Sequence, residues 1–166
     1  MTFSRPTIDS SYRAYADLLL RRHRLLGQGK DKGEEIAEVE DGLSALWEDL
    51  DEAQRQSLNG MGSDLNWARR RGTPAPMARK AHDVREADRE ALTAAIEAKD
   101  AHAVLFWLRC CASSMPLAEL AERRQQAYAS TGFPQVADVF GDLIRGGNGH
   151  PSHSANRLIE QPNTKG

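Results

Sequence analysis

The sequence predicts an all-α protein built from antiparallel helical hairpins, about six to seven helices in all. Three observations carry that expectation. Apolar residues recur at spacings of three and four along most of the 166 residues, the period of an amphipathic helix. No stretch shows the sustained alternation of a half-buried strand. Glycine, proline and capping residues interrupt the apolar stripes at short intervals, so consecutive helices must fold back on one another.

The first stripe opens after residues 7–10, where Asp9 or Ser10 can cap, and runs through Tyr12, Tyr15, Leu19, Arg22 and Leu26 to a stop at Gly27–Gly29. The second begins with Glu34 and Glu35, carboxylates suited to a helix N-terminus, and continues through Ile36, Val39, Leu43, Leu46 and Leu50 beside Trp47. Asp51 and Gln54 then have capping-box spacing and start a third helix. Gly60 and Gly62 weaken that helix by about 1 kcal/mol each relative to alanine, which predicts a kink or the close approach of another backbone.

Residues 69–76, three arginines followed by Gly72, Pro74 and Pro76, read as a linker. Beyond it, residues 77–99 are rich in helix formers, with Leu92 and Ile96 as the main apolar positions. Asp100 is placed to cap the next segment, which contains the longest apolar run in the chain, Ala103 to Leu108. A helix apolar all round must be surrounded, so this segment is the expected core strut, with Trp107 inside it. Pro116 separates it from a helix through Leu117, Leu120, Ala121, Ala127 and Tyr128. Gly132 is a natural left-handed stop, and a last helix runs from Pro134 to Gly146–Gly147. The predicted organisation is an N-terminal hairpin plus third helix over 7–68, the linker 69–76, two further hairpins sharing one core over 77–146, and a disordered polar tail over 147–166.

Hydrophobic residues make up 40% of the chain and charged residues 28%, with a formal net charge of −2. That balance argues against nucleic acid or an anionic membrane as the principal partner. The opening residues lack the apolar core of a secretory signal, and no run approaches the roughly 18 apolar residues of a membrane span. Cys110 and Cys111 are adjacent on one helix, an arrangement unsuited to a long-range disulfide. The expectation is a cytoplasmic protein with a reduced thiol pair and no membrane segment.

The last two hairpins, Ala91 to Pro116 and Leu117 to Ile144, share a layout. Val104 and Ala137 lie 33 residues apart, and so do Trp107 and Phe140. With Tyr128, Gly132 and Ala137 in order, and Pro116 between the units, this half resembles degenerate tetratricopeptide-type repeats. It departs from their pattern at Gln125, Gly141 and Ile144. The resemblance implies a stacked array whose first helices line a concave binding face, which would place Arg124, Gln125 and Tyr128 at a groove. The N-terminal half, through Tyr15, Leu18, His23, Gly27, Trp47 and the step Ser63 to Leu65, looks like a group of uncharacterised bacterial helical proteins. That likeness implies architecture and no chemistry.

Side chains that could carry chemistry are few. His23 could pair with Glu40 or Asp41 of the second helix as an acid–base or metal site, against the plainer role of a hydrogen-bonded residue at a hairpin seam. His150 and His153 share a spacing of three in the polar tail, without further ligands on a rigid frame. Arg21–Arg22 and Arg69–Arg71 could bind phosphate, but arginines also complement helix C-termini. No glycine-rich loop has phosphate-cradle spacing, and no nucleophile has a recognisable partner. The sequence therefore points to a small scaffold or adaptor that binds another protein or peptide, without a cofactor or catalytic residues, and with self-association open. The alternative is a helical-bundle enzyme or metal-binding protein using His23 and the helix-two carboxylates.

Overall fold

The computed structural model describes residues 2–70 and 84–148, with the backbone alone at 147 and 148. Among them are seven α-helices: α1 Ser10–Gly27, α2 Glu34–Trp47, α3 Glu52–Arg70, α4 Glu86–Glu97, α5 Ala101–Cys111, α6 Leu117–Ser130 and α7 Pro134–Asn148, with a 3-10 turn at Ala112–Ser114. The all-α expectation holds among the described residues.

Local chemistry sets most of the boundaries. The Asp9 carboxylate accepts from the Tyr12 amide at 3.0 Å to start α1. Asp51 and Gln54 form the reciprocal box at α3: the Gln54 amide donates to Asp51 Oδ1 at 2.8 Å, and the Asp51 amide donates to Gln54 Oε1 at 2.9 Å. Asp100 accepts from the Ala103 amide at 3.3 Å to start α5. Gly132, with φ +87°, turns the chain between α6 and α7. Three boundaries differ from the sequence reading. Helix α2 stops at Trp47, short of the Leu50 its stripe was expected to include. Helix α3 continues through Arg70, so the expected linker begins inside a helix, and residues 71–76 lie outside the described residues. Helix α7 runs through Gly146–Gly147 to Asn148; the expected tail from 149 on also lies outside the described residues.

Helices pair as α1 with α2, α4 with α5 and α6 with α7, and α3 touches α1, α5 and α7. Helix α3 is therefore the element against which the N- and C-terminal hairpins meet. The main core draws Tyr12, Ala16 and Leu20 from α1, Leu58, Met61, Leu65 and Trp67 from α3, and Leu108, Leu120, Val136 and Phe140 from beyond residue 84. A smaller cluster of Leu25, Ile36 and Val39 seals α1 against α2. Eight of the eleven residues of α5 are buried, as its all-round apolar composition requires. Trp107 is half-buried at the edge of this core, whereas Trp67, which carried no expectation, is deep within it.

Helix α3 passes through Gly60 and Gly62 unbroken. The predicted close approach occurs at Gly60, but the visitor is a side chain. A Cβ there would lie 2.1 Å from Nη1 of Arg109, so the absence of a side chain at Gly60 makes room for a guanidinium.

Candidate functional site

The residue that organises the interior polar chemistry is Asp64. It falls on the same stripe of α3 as Met61, Leu65 and Ala68, a position that helical spacing turns into the core. Its carboxylate is completely buried. Arg109, in the last turn of α5, donates from Nε to both carboxylate oxygens at 3.2 Å and from Nη2 to Oδ2 at 2.8 Å. Arg124 of α6 donates from Nε to Oδ1 at 3.1 Å. One turn further along α6, the Tyr128 hydroxyl donates to Oδ2, and Arg109 Nη2 lies 3.3 Å from that hydroxyl. Residues four apart share a helix face, which is why Arg124 and Tyr128 reach one carboxylate together.

An aromatic floor supports the cluster. The Arg124 guanidinium sits 5.1 Å from the Trp67 ring centroid, and Trp67 stacks on Phe140 at 6.0 Å. Tyr128 stacks on the same Phe140 at 5.8 Å with the rings nearly parallel. Burial opposes ionisation of Asp64, but the attraction of Arg109 and then Arg124, with hydrogen bonds from Arg109 and Tyr128, holds its carboxyl below the usual range. Burial likewise works against the charge of Arg109, and Asp64 with Tyr128 overcomes it, raising the guanidinium above its ordinary value. Burial, followed by the charge of Asp64, pushes the Tyr128 phenol well up. Two guanidiniums face one carboxylate, and Arg124 Nη2 has no hydrogen-bond partner among the described residues. A buried, fully ligated carboxylate is not available to a substrate; the cluster's role is to join α3, α5 and α6.

This geometry relocates the residues expected at a groove. Arg124 and Tyr128 are each 1% exposed and face the core. Gln125 is half-buried, and its amide lies against Gly141 of α7, where an added Cβ would come within 2.8 Å of Nε2. A groove does exist on this side of the protein, but the neighbouring face of α6 lines it: Arg123, Gln126, Ala127 and Ser130, opposite Ile96, Lys99, Ala101 and Val104. One residue along an α-helix is a rotation of about 100°, so a reading displaced by one position exchanges a groove residue for a core residue. The missed signal was a charged residue inside each of two apolar stripes, Asp64 on α3 and Arg109 on α5, with opposite signs.

His23 is not paired with the carboxylates of α2. Three of those lie near its neighbours instead: Arg21 is 3.9 Å from Glu35 and 3.8 Å from Glu38, and Arg22 is 3.9 Å from Glu40. His23 instead faces α3 and α7, lining recesses that also contain Leu65, Arg69 and Val139. Burial, then the charges of Arg69 and Arg24, lower its pKa, with the Leu65 carbonyl acting in the opposite sense. No group of three or more metal-ligating side chains occurs among the described residues. His150, His153 and Arg71 lie outside them. Among the described residues no helix is long and apolar enough to cross a membrane.

Fold and cluster together define a small all-α protein whose hairpins are joined through a buried arginine–carboxylate centre. No protein-family model matches the chain, and neither the curated proteins nor the solved structures searched contain a match.

Proposed function

We propose that this chain is a helical scaffold that binds a peptide segment of a partner protein, in the groove between the α4–α5 hairpin and α6. The carrying observation is the composition of that groove. Ile96, Ala101, Val104 and Ala127 form an apolar floor, small side chains leave it open, and Lys99, Arg123, Gln126 and Ser130 form a polar rim. A floor of this kind accepts apolar anchors spaced along an extended or helical peptide, and the rim cations, Lys99 and the Glu119-paired Arg123, favour carboxylates beside them. The hairpin layout of α4–α5 and α6–α7 resembles that of tetratricopeptide-type repeats, although this groove also draws Ala101 and Val104 from a second helix, α5. The alternative, a helical-bundle enzyme or metal protein, needs His23 beside the α2 carboxylates, whereas His23 lines recesses against α3 and α7.

Selection from a displayed peptide library tests the proposal. Enriched peptides are expected to combine apolar anchors with Asp or Glu. Their binding is expected to fall about tenfold or more when Ser130→Trp fills the groove or Arg123→Glu reverses its rim. Peptides that bind both variants as well as the parent protein would place recognition elsewhere.

A further inference from the structure

We propose that the cleft between α1, α3 and α7 binds a small oxyanion carried on an apolar body, with Arg69 and His23 as its polar contacts. The cleft has a volume of about 380 Å³ and is open to solvent, and its walls include Leu26, Ala68, Val139, Leu143 and Asp142. His23, Leu26 and Arg69 also line a narrower recess beside it, against Leu65 and Asn66. Two observations select the ligand. Arg69 hydrogen-bonds the neutral amide of Asn66 and pairs with no carboxylate among the described residues. His23 Nδ1 is buried without a hydrogen-bond partner among them, and a buried polar atom left so costs about 1–3 kcal/mol.

The other charged groups around His23 are accounted for. On α1, Arg22 has Glu40 at 3.9 Å, and Arg24 is exposed. On α7, Asp142 pairs with Arg145. With the cleft-lining Asp142 held by Arg145, Arg69 is the lining charge left without an opposite partner among the described residues. A guanidinium presents a planar fork that matches a carboxylate or phosphate, and four aliphatic walls suit an attached hydrocarbon or ring. An oxyanion held by Arg69 beside His23 also favours the imidazolium, whose Nδ1–H then donates to it. Since burial and the charges of Arg69 and Arg24 lower the pKa of the free imidazole, an oxyanion that raises it takes up a proton on binding and binds more tightly as pH falls.

The experiment titrates the full chain with inorganic phosphate, phenyl phosphate and benzoate while following the His23 ring by NMR. It is run on wild type, on Arg69→Gln and, as a control, on Arg21→Gln, whose arginine lies outside the cleft. Phenyl phosphate or benzoate should give a saturable shift of the His23 signals. Inorganic phosphate should bind more weakly, and Arg69→Gln should weaken the apolar ligand about tenfold while Arg21→Gln leaves it unchanged. Binding in the wild type should be stronger at about pH 6 than at about pH 8. The proposal is overturned by any of three results: no saturable shift with any probe, equal affinity in Arg69→Gln, or phosphate binding as tightly as phenyl phosphate. His23→Gln provides a second variant, titrated with benzoate by calorimetry, in which the pH dependence between about pH 6 and about pH 8 should vanish; its persistence would also overturn the assignment.

Discussion

Gly60 of α3 and Arg109 of α5 share one volume: a Cβ on the glycine would lie 2.1 Å from Nη1 and 2.2 Å from the central carbon of the guanidinium. An arginine head can usually swing aside. Here it is pinned by Asp64 and Tyr128 and enclosed by the core, so any displacement breaks a buried ion pair. Gly60→Ala should therefore cost about 3 kcal/mol, far more than an alanine at an unobstructed helix glycine, which would stabilise. Urea denaturation checks this, and the penalty should shrink when Arg109→Met removes the obstructing head.

Asp64→Asn should be among the most damaging single changes, because it leaves two buried guanidiniums without a counter-charge; a loss of about 3–5 kcal/mol is expected. The pH dependence has a definite sign. The folded-state pKa of Asp64 lies below the ordinary 3.8, so its stabilising contribution is complete above that value and is lost as pH falls through the folded value. Denaturation midpoints measured from about pH 6 to about pH 2 should converge for wild type and Asp64→Asn at the acid end.

Two histidines give a separate, milder dependence. Burial is the leading cause of a lowered pKa at both His23 and His102, with Arg69 and Arg24 adding to it at the first and Arg5 at the second. Both contributions are present above the unfolded value near 6.5 and decline as pH drops below it. The double variant His23→Phe, His102→Gln should flatten the stability profile between about pH 7 and about pH 5.

The tryptophans should rank in an order the sequence does not suggest. Trp67 is 3% exposed and touches both Phe140 and Arg124, so Trp67→Ala should cost about 3–5 kcal/mol. Trp107 is half-buried and meets Phe106 edge-on at 4.8 Å, and its removal should cost about half as much or less. Parallel thermal melts of the two variants give the ranking directly.

Lys99 holds φ +55°, the one non-glycine in the left-handed region among the described residues, where the chain leaves α4. The residue is exposed, so Lys99→Gly should stabilise by about 1 kcal/mol through relief of that strain. A lower midpoint in this variant would mean that the lysine side chain stabilises the α4–α5 turn.

What the sequence made legible was whatever depends on neighbours along the chain. Asp9, the Asp51–Gln54 box, Asp100 and Gly132 each act within five residues of themselves, and each stands where spacing places it. Burial of α5 followed from composition alone. The ion cluster did not, because its members are separated by 45, 60 and 64 residues and helical periodicity carries no information about pairing at that distance. Arg124 and Tyr128 illustrate the cost: spacing places them beside a groove, whereas a buried carboxylate on a distant helix turns them inward.

That carboxylate also bears on how the chain can be divided. Asp64 precedes residue 70, and Arg109, Arg124 and Tyr128 all follow residue 84, so each side of the interval holds charges or donors that only the other can satisfy. Cleavage of the backbone between those residues should leave two pieces that stay associated through gel filtration. Expressed separately, each piece should be poorly folded until the other is added. Fragment complementation, with helicity regained on mixing and lost again with Asp64→Asn, would show that one carboxylate makes the two segments a single folding unit.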